Sequence, residues 1–166
     1  MRIVINAGHT KVGKGTGANG FLNESIETRK IACDLMKLLA DTKHEVIPAI
    51  LDNSTDNLKE AVDLSNSKNA DLFVSIHLNA GGGQGCECYT WKGEKLPIAT
   101  MICENLNKIG FKNRGVKNGS KFYVIRKTKM TAIIIEVCFV DNSNDAHLYK
   151  KIGSNEIAKA IYNAIK

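Results

Sequence analysis

Apolar residues come in short runs, separated by longer stretches in which they recur every three or four positions. That is the rhythm of strands alternating with amphipathic helices. Arg2 to Ala7, RIVINA, predicts a first strand. Residues 24 to 42 carry Ile31, Leu35, Leu38 and Leu39 at helical spacing, behind an Asn23 suited to capping the first turn. Glu45 to Leu51 predicts a second strand, and Thr55 to Lys68 a second helix with Leu58, Ala61, Val62 and Ser65 on one side. Asp71 to His77 predicts a third strand. The order βαβαβ makes a parallel sheet with right-handed crossovers.

A connection rich in glycine (Gly81, Gly82, Gly83, Gly85) leads to CECYTW, whose alternation suits a strand returning antiparallel. A helix is expected from Lys95 to Ile109. Two further strands, Lys121 to Arg126 and Thr131 to Val137, are expected around a hairpin turn at Lys127 to Met130, which would set the second of them parallel to the first three. Ser154 to Ile165 repeats apolar residues at helical spacing and closes the chain. The expected whole is one α/β domain over residues 1–166, a mostly parallel twisted sheet of about six strands with helices on both faces.

Composition agrees with a packed domain: 166 residues and 43% hydrophobic content can bury a core. No run approaches the ~18 apolar residues of a membrane span, and Met1-Arg2-Ile3-Val4 enters a strand pattern instead of a signal-peptide core. Synthesis in the cytoplasm with release by another route, or a fragment of a secreted protein, is the expectation, and no membrane insertion. The five cysteines are scattered, none forms CxxC, and a disulfide framework is not expected. On a strand, Cys86 and Cys88 point to one face and read as packed small side chains.

The net charge of +6 is local. Eight basic residues and no acid lie between Lys108 and Lys129, so the remainder of the chain is slightly acidic. Such a segment attracts anionic surfaces or carboxylate-bearing substrates. With lysine far outnumbering arginine and few aromatics nearby, base reading in nucleic acid is the weakest use of it, and no nucleic-acid partner is expected.

The chemistry sits where the strands end. In a parallel α/β sheet ligands bind outside the carboxyl ends of the strands. The first strand finishes at His9, the third at His77 and the last at Glu136; Glu24, opening the first helix, belongs to the same edge. Two imidazoles and a carboxylate make a catalytic zinc set with one position open, and the remaining carboxylate can carry protons. Gly15 to Gly20 formally spell GxGxxG, but they lie too far beyond the strand for a dinucleotide fingerprint, with no acid at the second strand's end. Those glycines suit a loop crossing the metal site.

AGH at 7–9, NE at 23–24, SIHLNA at 75–80, RGVK at 114–117 and IIIEVCFVDN at 133–142 together resemble the zinc-dependent N-acetylmuramoyl-L-alanine amidases of the Amidase_3 type, phage endolysin catalytic domains included. The resemblance runs in order along nearly the whole chain. It implies one zinc ion held by His9, Glu24 and His77, with Glu136 as catalytic acid and base. It implies hydrolysis, at the bacterial cell wall, of the amide between N-acetylmuramic acid and L-alanine in peptidoglycan, with anionic wall polymers as further partners for the basic segment. Asn79 is a candidate for substrate binding or for supporting the ligands, with turn formation as its alternative role. The chain departs from the family's frequent GHGG and EVGF at Gly8-His9-Thr10-Lys11 and at Glu136-Val137-Cys138-Phe139; neither change removes a ligand or the base.

Overall fold

The computed structural model of the chain describes residues 1–13 and 15–166. Its strands are β1 (Arg2–Ala7), β2 (Glu45–Ala49), β3 (Leu72–Asn79), β4 (Cys86–Thr90), β5 (Asn113–Asn118) and β6 (Thr131–Phe139). They form one six-stranded sheet in the order β2-β1-β3-β6-β4-β5. β1, β2, β3 and β6 are parallel, β4 runs antiparallel to β6, and β5 lies parallel to β4 at the edge. The helices are α1 (Glu24–Ala40), α2 (Asn57–Ser67), α3 (Pro97–Lys108), α4 (Tyr123–Lys127), α5 (Ser143–Ile152) and α6 (Ser154–Ile165).

Helices cover both faces, which is why the central strands are apolar at successive positions instead of alternating. On one face Ile3, Ile5, Val74, Ile76 and Ile133 meet the inner stripes of α1, α3 and α6. Ile31, Leu35 and Leu39 of α1 are fully buried there, and truncating any one to Ala costs about 2–5 kcal/mol. Cys86 and Cys88 join this core, as their spacing implied. On the other face Val4, Phe73 and Ile134 pack under Ala61 and Val62 of α2 and Val124 and Ile125 of α4. Towards the carboxyl ends of the strands that second face turns polar, with Asn6, Ser75, His77 and Glu136 in place of hydrocarbon. The site grows from this edge.

The expected α1 starts as its cap predicts, with the Asn23 side chain accepting from the Ile26 N–H. Lys121 to Arg126 is not a strand. It enters the short helix α4, so the hairpin at Lys127 to Met130 does not form, although β6 keeps the expected direction. A run as short as FYVI carries no period that separates strand from helix. The place at the sheet edge is taken by β5, NRGVKN, whose polar residues and Gly115 give no strand signal and suit an exposed edge. Helix α5 was also unannounced, although Asn142 caps it by accepting from the N–H groups of Asn144 and Asp145. β3 and β6 each end two residues beyond the expected His77 and Val137, at Asn79 and Phe139.

Candidate active site

Register brings the polar residues into line. His77 on β3 is the direct neighbour of Glu136 on β6, and Glu136 in turn faces Glu87 on β4. His9 follows β1 in a left-handed conformation, φ 66°, unusual for a residue with a side chain. Arg29 of α1 holds that bend, donating to the carbonyls of His9 (3.1 Å) and Leu51 (3.1 Å) while paired with Asp52 (2.7 Å). Gly8 lies directly beneath the His77 ring, where any Cβ would collide.

His9, Glu24 and His77 converge, each offering a ligand atom within 4.8 Å of the others. Glu24 Oε1 is 3.2 Å from His9 Nε2 and 3.1 Å from His77 Nδ1. The same carboxylate accepts from the backbone N–H of Leu78 (3.2 Å) and, through Oε2, of Ala18 (2.8 Å). Burial opposes its charge, but the hydrogen bonds from His77 and His9 outweigh burial and hold the Glu24 carboxyl well below the usual range. His77 shows the converse: burial works against its charge, and Glu24 and Glu136 still raise its pKa. Two imidazoles and an ionised carboxylate gathered at one point fit a divalent metal ion.

Glu136 differs from Glu24 in its surroundings. Its Oε2 is enclosed and has no hydrogen-bond partner among the described residues. Burial, with His77 opposing and Glu24 and Glu87 reinforcing, pushes its carboxyl up to about 7. A carboxyl poised near neutrality can both take and return a proton. The four residues open on a cleft of about 400 Å³, walled by Leu58 of α2, by Phe122, Tyr123 and Val124 at α4, and by Gly17 and Ala18 of the loop before α1. That loop crosses the site as its glycines suggested: a Cβ on Gly17 would lie 2.7 Å from Glu24 Oε2.

Asn79 lines the cleft, and its side chain is engaged twice, accepting from the Ala80 N–H (2.8 Å) and donating to Glu87 Oε1 (2.9 Å). Glu87 escaped the sequence reading. It is a buried carboxylate that also accepts from Tyr89 Oη (2.7 Å) and Arg114 Nε (2.7 Å). Its signal was the acid between two inward cysteines in CECYT, on the strand face opposite to them. Arg114 lies over the Phe139 ring at 5.0 Å and is the one half-buried member of the basic segment, whose other seven residues are exposed.

Comparison with known proteins agrees with this geometry. An uncharacterized Clostridium perfringens protein is 38% identical over 176 residues, covering 99% of this chain and 51% of its own length. The Bacillus licheniformis N-acetylmuramoyl-L-alanine amidase CwlM is 37% identical, covering 90% of this chain and 61% of its own length. The chain thus spans about half to three-fifths of these relatives. Among solved structures, the catalytic domain of the CD27L endolysin targeting Clostridium difficile superposes with a TM-score of 0.89 at 33% identity, covering 99% of this chain and 96% of that one. The sequence profile of the N-acetylmuramoyl-L-alanine amidases matches residues 3–166, and the chain belongs to that family, Amidase_3.

Proposed function

We propose that the chain hydrolyses the amide joining N-acetylmuramic acid to L-alanine in bacterial peptidoglycan, with one zinc ion held by His9, Glu24 and His77 and with Glu136 as acid and base. The observation that carries this reading is the pairing of two carboxylates with opposite environments in one cleft. Glu24 is kept ionised among imidazoles, and Glu136 is kept near neutrality beside them. A protein that only bound metal or wall would have no use for the second. Zinc, when bound, supplies a Lewis acid that polarises the scissile carbonyl and makes water acidic near pH 7.

The remaining work falls to the chain. Glu136, ionised, takes a proton from the attacking water as the new C–O bond forms. It then delivers that proton to the alanine nitrogen as the C–N bond breaks, so one water is consumed and the carboxyl ends as it began. The apolar wall of Leu58, Phe122 and Val124 keeps the carboxyl's dielectric low. Asn79, fixed by Glu87, has one amide hydrogen left for a substrate carbonyl. The exposed lysines from Lys108 to Lys129 run along the edge strand to the cleft wall and attract the anionic cell wall.

Mass spectrometry of purified peptidoglycan after digestion tests the reaction. New amino termini on alanine with intact stem peptides are expected; cuts within the stem would make the protein a zinc peptidase, and no cleavage at all a wall-binding module.

A further inference from the structure

A chain of hydrogen bonds runs through the sheet to His77, and its direction is fixed by which atoms can only accept. The Ala49 carbonyl accepts from Asn6 Nδ2 at 2.7 Å, which turns Asn6 Oδ1 the other way, to Ser75 Oγ at 2.6 Å. An amide oxygen has no hydrogen to give, so the single hydroxyl hydrogen of Ser75 is spent on Asn6. Ser75 Oγ then offers only lone pairs to His77 Nε2, 3.1 Å away, and Nε2 must carry the proton. Nδ1 faces Glu24 and donates to that carboxylate while no metal is bound; it is the nitrogen that can give up its proton to a ligand. At His9 the logic gives the opposite result. Its Nδ1 lies 3.0 Å from the Gly15 carbonyl and must donate, leaving Nε2 to face Glu24.

We infer that Asn6 and Ser75 are positioning residues which keep the proton of His77 on Nε2, so that the two histidines present opposite ring nitrogens to one metal ion. Asn6, Ser75 and Ala49 are cross-strand neighbours on β1, β3 and β2, and Ser75 is essentially inaccessible to water, so no solvent competes for these bonds. Amide and hydroxyl groups at such positions are costly to bury beside Val4 and Phe73, where valine or isoleucine would pack without that cost. They end on a metal-ligand ring, and partners of that kind set the ring's tautomer and basicity.

The inference rests on His9, Glu24 and His77 holding zinc, and the experiment separates the two ideas. Spectra of ¹⁵N-histidine-labelled protein, zinc-loaded and zinc-free, show directly which ring nitrogens carry protons. Protonated Nε2 on His77 and protonated Nδ1 on His9 are expected in the parent. In zinc-free Asn6→Ala the Ser75 hydrogen is released towards Nε2, and a form of His77 protonated at Nδ1 alone should appear. Competition with a chelator should show Ser75→Ala binding zinc about 10- to 100-fold more weakly than the parent. An unprotonated Nε2 on His77 in the parent, no form protonated at Nδ1 alone in Asn6→Ala, or a zinc affinity in Ser75→Ala within twofold of the parent would each overturn the inference. A parent that takes up no zinc would instead sink the proposed function, while the zinc-free spectrum still decides whether Nε2 keeps its proton.

Discussion

The two carboxylates of the site should separate under the same substitution. Glu136→Gln keeps the shape of a residue that touches no proposed ligand bond, so the variant should still bind one zinc per chain while turnover falls by about 10²- to 10⁴-fold. Glu24→Gln removes a charged donor and should lose zinc and activity together. Metal analysis beside an assay of wall digestion distinguishes them, and the reverse pattern would exchange their roles. Glu136 also has a cost that stability can reveal. Its carboxyl is lifted from 4.5 to about 7, so the native zinc-free protein holds this proton more tightly than the unfolded chain does. Stability is therefore fully present below pH 4.5 and falls as pH rises through 7, by about 3 kcal/mol at most. Zinc-free Glu136→Gln is spared that fall: it should melt above the zinc-free parent at pH 8, with the gap closing towards pH 4.5. A parent that melts equally high at pH 8 would show that the buried carboxylate is better solvated than its enclosure implies.

At the scale of elements, the loop before α1 brings its backbone against Glu24 and His9 at Gly17, which has φ +79°. Gly17→Ala adds about 1–2 kcal/mol of left-handed strain and a methyl group against Glu24 and His9. Zinc affinity by chelator competition should fall about tenfold or more, consistent with the sensitivity of such sites to displaced ligands; retained affinity would show the loop free to move aside. What the sequence made legible follows the same scale. The βαβαβ start and α6 have periods long enough to be read, and His9, Glu24, His77 and Glu136 could be found because strand ends converge whatever the loops do. β5 and α4 could not, because edge pairing and the cover over the second face are tertiary demands that six polar or five mixed residues do not announce. Asn6 and Ser75 look like strand residues among others until the register sets them side by side, and Glu87 gains its partners Asn79 and Arg114 only through the fold.

Across the whole molecule, charge and topology have separate consequences. The exposed lysines between Lys108 and Lys129 lie outside the ligand set, so replacing Lys112, Lys117, Lys121 and Lys127 by Gln should leave zinc content unchanged. It should also slow lysis of whole walls at low salt and flatten the salt dependence, since exposed charges act over only about 8–10 Å at ordinary ionic strength. Equal lysis by variant and parent at low salt would reduce the segment to a solvated face. The position of β6 has an effect of a different kind. It is the last strand in the chain, yet it lies between β3 and β4, with three strands on one side and two on the other. A ribosome that has delivered the first 130 residues has therefore made His9, Glu24 and His77 but not Glu136, on two half-sheets with facing open edges. Filling that gap demands contacts distant in sequence on both sides at once, a slow event by the rules that tie folding rate to topology. The growing chain can gather His9, Glu24 and His77 early, but Glu136 joins them only when one late strand slides home and completes sheet and cleft together.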